Sequence, residues 1–133
     1  MLNLQRTFNR VLAFMRVQRK RSMRPTKYEY SAEQCLYRGP GGLVCGAGCA
    51  FPDELYDRKM ESRPVDHLVK RFARLEPYLG KPGSRHLHMM KAIQEAHDQA
   101  MPDKKGGSME AWEYRMGEIA EAYKLKYWPP KEK

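Results

Sequence analysis

The stretch from Cys35 to Tyr56 constrains the fold more than any other part of the chain, because it carries all three cysteines together with Gly39, Pro40, Gly41, Gly42, Gly46 and Gly48. Pro40-Gly41 is a strong turn signal: proline pre-sets φ at the first central position and glycine accepts positive φ at the second. Short apolar, β-prone runs lie on either side, Cys35 to Arg38 and Leu43 to Cys45, which predicts a small hairpin. Gly46 and Gly48 then loosen the backbone. Pro52 followed by Asp53 and Glu54 reads as the start of a short helix, with acids facing the positive end of its dipole. The expectation is a hairpin-helix unit over residues 35 to 59.

The register of that hairpin decides what the thiols can share. With a plain turn over residues 39 to 42, Arg38 faces Leu43, and Cys35 and Cys45 fall on opposite faces. One extra residue at Gly41 or Gly42 shifts the parity and brings both sulfurs to one side. The sequence admits either. Cys35, Cys45 and Cys49 with one histidine would supply a tetrahedral zinc site; His67, His86 and His97 are the candidates, and His67 is the one assigned. The Cys-x9-Cys-x3-Cys spacing lacks the paired Cys-x2-Cys knuckle of zinc ribbons. The competing reading is therefore that the thiols are small buried hydrophobes and the protein has no cofactor. As a nucleophile, Cys49 would gain from preceding a helix start, but no histidine is near it in sequence.

The run Cys35-Leu-Tyr-Arg-Gly-Pro-x-Gly-x-x-Cys45-x-x-Gly48, continued by Pro-Asp-Glu-Leu-Tyr-Asp at positions 52 to 57, resembles a set of small uncharacterised proteins encoded by bacteriophages and prophages. The likeness extends through Thr7 to Met23 and through Gln94 to Asp98. Two features depart from it: Gly46 stands where those proteins usually have alanine, and the chain opens on a more basic segment. Those relatives have no established activity, so the resemblance implies a phage genome expressed in a bacterial host cytoplasm and no residue roles.

At 133 residues the chain is one domain's worth, and 41% apolar residues can bury a modest core. Arg6, Arg10 and Arg16 interrupt the first apolar segment, so neither a signal peptide nor a membrane-spanning helix is expected. An odd number of cysteines suits a reducing compartment. The formal charge of +9 is unevenly placed: eight of the 25 lysines and arginines, and none of the 16 acids, lie in residues 1 to 27. A positive field of that density attracts polyanions in a salt-dependent way.

Leu4, Phe8, Val11, Leu12 and Met15 recur at helical spacing, which predicts a basic N-terminal helix over 4 to 27, packed as far as Val17 and extended from Gln18 until Pro25 intervenes. C-terminal helices follow over 64 to 126. The first carries Val65, Leu68, Phe72 and Leu75 and closes at Leu79-Gly80. The second is capped by Ser84 and places Leu87, Met90, Ile93, His86 and His97 on one face; the last is capped by Ser108 and carries Trp112, Met116, Ile119 and Tyr123. Residues 1 to 133 thus read as a single helix-rich α+β domain, about five helices packed around one small β-hairpin.

No Walker, dinucleotide, hydrolase-elbow or metalloprotease pattern is present. His97 and Asp98 are neighbours, but adjacent helical residues diverge by about 100°. The Gly39 to Gly42 turn beside Arg38 lacks the following helix of a phosphate loop. These features predict a non-enzymatic protein. Its anion-contacting residues are Arg6, Arg10, Arg16, Arg19, Lys20, Arg21, Arg24 and Lys27, with Arg38. The expected role is a phage accessory protein that binds nucleic acid or a host nucleoprotein. The alternatives are a protein-protein inhibitor of a bacterial host defence system, or sequestration of a small anionic nucleotide.

Overall fold

Asn3 caps the first helix, α1 (Leu4–Gln18), in the computed structural model, which describes residues 3–23 and 35–130. Its side chain accepts from the Arg6 N–H at 3.0 Å, satisfying one of the free donors at a helix start. Phe8, Val11, Leu12 and Met15 are buried. The helix stops at Gln18, because Arg19 adopts a left-handed conformation (φ 59°) and its N–H closes on the Met15 carbonyl at 2.8 Å. The expected helix to residue 27 is therefore cut short, and residues 24 to 27 lie outside the described part.

The predicted hairpin is corrected: among the described residues there is no β-strand or sheet, only single antiparallel bridges, Met23 with Cys35 and Arg38 with Val44. The reason lies in where the backbone groups are satisfied. The side-chain amide of Gln18 takes both polar groups of Val44, donating to its carbonyl at 2.7 Å and accepting from its N–H at 3.1 Å. The Glu61 carboxylate accepts from the N–H groups of Tyr37 and Arg38 at 2.8 and 3.2 Å. The Arg38 guanidinium donates to the carbonyls of Tyr37, Gly48 and Phe51. Side chains thus occupy the positions that a second strand would use.

The predicted helix after Pro52 is also corrected to two single 3-10 turns, Asp53–Leu55 and Arg58–Met60. The helix expected from residue 64 breaks at Phe72 (φ −125°, ψ 77°) into α2 (Val65–Arg71) and a one-turn α3 (Glu76–Leu79), which ends at Gly80 with φ 97°. α4 (Arg85–Ala100) and α5 (Met109–Ala122) start as expected, Ser84 and Ser108 accepting from the N–H groups of Leu87 and Ala111 at 3.1 and 2.9 Å. α4 packs against α2 and α5, and α1 against α5, around Phe8, Met15, Leu68, Met90, Ile93 and Trp112, all fully buried. Beyond α5 the chain returns along α1, where the Gln5 side-chain amide exchanges hydrogen bonds of 3.0 and 2.8 Å with the backbone of Lys126. No described helix is long and apolar enough to cross a membrane.

Candidate functional sites: a divided set of cations and a thiol corner

The basic residues singled out in the sequence separate into two groups. Arg16 meets Glu113 on α5 through two hydrogen bonds of 2.8 and 2.9 Å and also donates to the Trp128 carbonyl. The Glu113 hydrogen bond raises the Arg16 guanidinium above its usual value. Arg21 is buried, with its N–H on the Asp103 carboxylate at 2.9 Å and its guanidinium on the Asp103 carbonyl at 3.2 Å. Arg38 pairs with the exposed Asp53 at 2.7 Å, lies over the Phe51 ring at 4.6 Å and turns its guanidinium to the Gly48 and Phe51 carbonyls. These three cations hold the fold together.

Arg6, Arg10, Arg19 and Lys20 are exposed, and no ion pair engages them among the described residues. Arg24 and Lys27 lie outside the described residues. Arg6 and Arg10 are one helical turn apart, and Phe14 continues the row, 41% exposed. Arg10 stands between two depressions. One, of about 650 Å³, is lined by Phe14, Arg38, Cys49 and Tyr56 with Asp53 and Glu54; the other, of about 170 Å³, by Arg6, Ala50 and Tyr78.

The thiols gather at a different place. Arg38 pairs with Val44 rather than Leu43, so the loop holds the extra residue that shifts parity and turns Cys35 and Cys45 to the same side. Cys35 also lies against α4: its Sγ, one atom of His97 and one carboxylate oxygen of Asp98 are all within 4.8 Å of one another. This group can hold a metal ion. Gln94 braces it, donating from its amide to Cys35 Sγ at 3.1 Å and to Asp98 at 3.2 Å while accepting from the Ala47 N–H at 2.8 Å. His97 and Asp98, adjacent on α4, thus converge on the sulfur instead of pairing with each other. The contact is close because Gly46 packs against the helix: a Cβ there would sit 3.2 Å from His97 Cβ and 3.2 Å from the Ile93 carbonyl.

His97 is fully buried, and neither ring nitrogen has a hydrogen-bond partner among the described residues. Each such unsatisfied group costs about 1–3 kcal/mol. Burial lowers the imidazole to about 4, a nearby Asp103 opposing it. Burial raises Asp98, and the neighbouring Cys45 thiol, followed by burial, raises the Cys35 thiol.

The other predicted ligands fall elsewhere. His67, assigned as the fourth zinc ligand, has a side chain 64% exposed beside Asp66 and does not join the thiols. His86 is a satisfied core histidine: Nδ1 donates to the Leu79 carbonyl at 3.0 Å, leaving Nε2 to accept from the Thr7 hydroxyl at 2.9 Å. Cys49 is buried, donating to the Gly46 carbonyl, and burial pushes its thiol up to about 12. The helix start expected to activate it is a single 3-10 turn. Asp98 and Gln94 escaped the sequence reading of the metal site; their four-residue spacing on one face of α4 with His97 between them was the available signal.

No family model, curated protein or solved structure matches the chain.

Proposed function

We propose that the protein binds a polyanion, nucleic acid or a host nucleoprotein, through the exposed side of α1 and the turn after it, as a non-enzymatic phage accessory protein in the bacterial host cytoplasm. The observation that carries this reading is the division of one basic segment. Arg16 and Arg21 are neutralised by Glu113 and Asp103, whereas Arg6, Arg10, Arg19 and Lys20 face solvent without an ion pair among the described residues. Folding supplies carboxylates to some cations and leaves the others available to phosphates. Phe14, one turn beyond Arg10, adds an exposed ring on which a base can stack. Contacts of this kind read the backbone and discriminate little between sequences.

Fluorescence anisotropy with labelled duplex and single-stranded oligonucleotides tests it. Replacing Arg6, Arg10, Arg19 and Lys20 together by glutamine should weaken binding by about 10-fold or more at moderate salt. Binding that survives this replacement unchanged, or that ignores salt, would overturn it.

A second reading rests on Val17, 83% exposed one turn past Phe14. Apolar surface bordered by cations suits an acidic protein face, as an inhibitor of a host defence complex would need. Capture of a specific partner from nuclease-treated lysate, lost on Val17→Asp, supports this reading; loss of every partner on nuclease treatment returns the function to nucleic acid. Separately, the donor chemistry at Cys35, His97 and Asp98 supports a structural zinc ion that pins the 35 to 50 loop to α4.

A further inference from the structure

Resting on that structural-zinc reading, we propose that the ion's ligands are Cys35, His97 and Asp98, with the Cys45 thiol as the fourth donor, and that neither Cys49 nor His67 takes part. The first three donor atoms lie within 4.8 Å of one another. Zinc-ligand bonds of about 2.0–2.3 Å put tetrahedral donors roughly 3.3–3.7 Å apart, so shifts of about an ångström bring these three donors to bonding positions. The Cys45 thiol is set on the Cys35 side of the loop by the Arg38–Val44 bridge, lies outside that group of three and accepts the Gly48 N–H at 3.2 Å, so it is the donor that must turn to complete the set.

Two observations independent of the spacing point to a cation. His97 is fully buried with both ring nitrogens unpartnered among the described residues, where a core histidine is ordinarily satisfied, as His86 is by Leu79 and Thr7. Gln94 turns its amide donors toward the sulfur and the carboxylate together, the outer-shell arrangement that supports a thiolate and a carboxylate bound to metal. Thiolate, imidazole and carboxylate together select a borderline ion such as zinc over calcium or magnesium. The site joins α4 to the segment that carries the exposed cations, because Cys35 bridges to Met23 and the Leu36 N–H bonds to the Ser22 carbonyl at 2.7 Å.

The test uses the full chain, with elemental analysis after purification and titration of chelated protein with Co2+ followed by absorption spectroscopy. One ion per chain, with thiolate-to-cobalt charge transfer and the intense visible bands of tetrahedral coordination, is expected. Cys35→Ser, Cys45→Ser and His97→Gln should each weaken binding by roughly 100-fold or more, beyond what an outer-shell change costs, while Cys49→Ser and His67→Gln bind as the wild type does. Circular dichroism of the Cys35→Ser protein, the most conservative change, separates lost ligation from lost folding. A wild-type chain that takes up neither Zn2+ nor Co2+ overturns the zinc reading itself. Stoichiometric binding that persists in Cys35→Ser and His97→Gln leaves that reading standing and overturns this ligand set.

Discussion

Arg16 on α1 and Glu113 on α5 form a two-pronged ion pair, with hydrogen bonds of 2.8 and 2.9 Å across 97 residues of sequence. The Tyr127 hydroxyl adds a third donor to the same carboxylate at 2.6 Å. Glu113 is therefore the joint between the first helix, the last helix and the returning C-terminal segment. Its side chain is only 11% exposed, so the pair is worth more than a surface salt bridge.

Glu113→Gln keeps the volume but turns an N–H donor toward at least one of the three donors that the carboxylate accepts from. The expected cost is about 1–2 kcal/mol, read as a lower urea midpoint, whereas Arg19→Gln at an exposed position should change stability by less than about 0.5 kcal/mol. Equal effects of the two substitutions would show that the segment is not divided into structural and free cations.

Alkaline pH should loosen the same joint. Burial, then the hydrogen bond to Glu113, pushes the Tyr127 phenol up to about 12 from an ordinary value of 10.0. Burial and Glu61 do the same to Tyr56, also to about 12. The folded state therefore keeps these protons at pH values where the unfolded chain has released them. Their contribution is fully present below about pH 10 and is lost as pH rises through about 12. Urea midpoints measured from pH 8 to 12 should fall across that window, and Tyr127→Phe should start lower and fall less steeply.

Salt dependence distinguishes the two sets of cations in function. If phosphates are bound by exposed side chains alone, each glutamine replacement among Arg6, Arg10, Arg19 and Lys20 that removes a contact lowers the slope of log affinity against log salt by about 0.9 on duplex DNA. Arg38→Gln, whose guanidinium is engaged by Asp53 and three carbonyls, should reduce stability and leave that slope unchanged in the protein that remains folded.

Two glycines should respond oppositely to alanine. A Cβ on Gly48 would meet the Tyr37 carbonyl oxygen at 2.6 Å, with Arg38 Nη1 and Cys45 Sγ at 3.1 and 3.2 Å, so Gly48→Ala should cost about 1–3 kcal/mol. At Gly117, inside α5, the nearest atoms are those of the Tyr127 ring at 3.7 and 3.8 Å. Gly117→Ala should then stabilise by about 0.5–1 kcal/mol through helix propensity. Thermal unfolding of both variants checks the pair.

Local chemistry was legible in the amino-acid order. The caps at Ser84 and Ser108, the buried faces of α1, α4 and α5, and the burial of His86 and His97 follow from spacing and from hydrogen bonds within a few residues. So does the concentration of positive charge in the opening residues. What the order of residues leaves open is which partner arrives from far along the chain. Glu61, Gln18 and Arg38 reach the loop backbone and satisfy it without a second strand. Glu113 and Asp103 come back over 97 and 82 residues to take Arg16 and Arg21 out of the free set. His97, rather than His67, meets Cys35, because Gly46 lets the loop lie directly on α4. Periodicity and capping act over one or two helical turns, whereas these pairings exist only once the helices have packed, and so tertiary structure alone decided them.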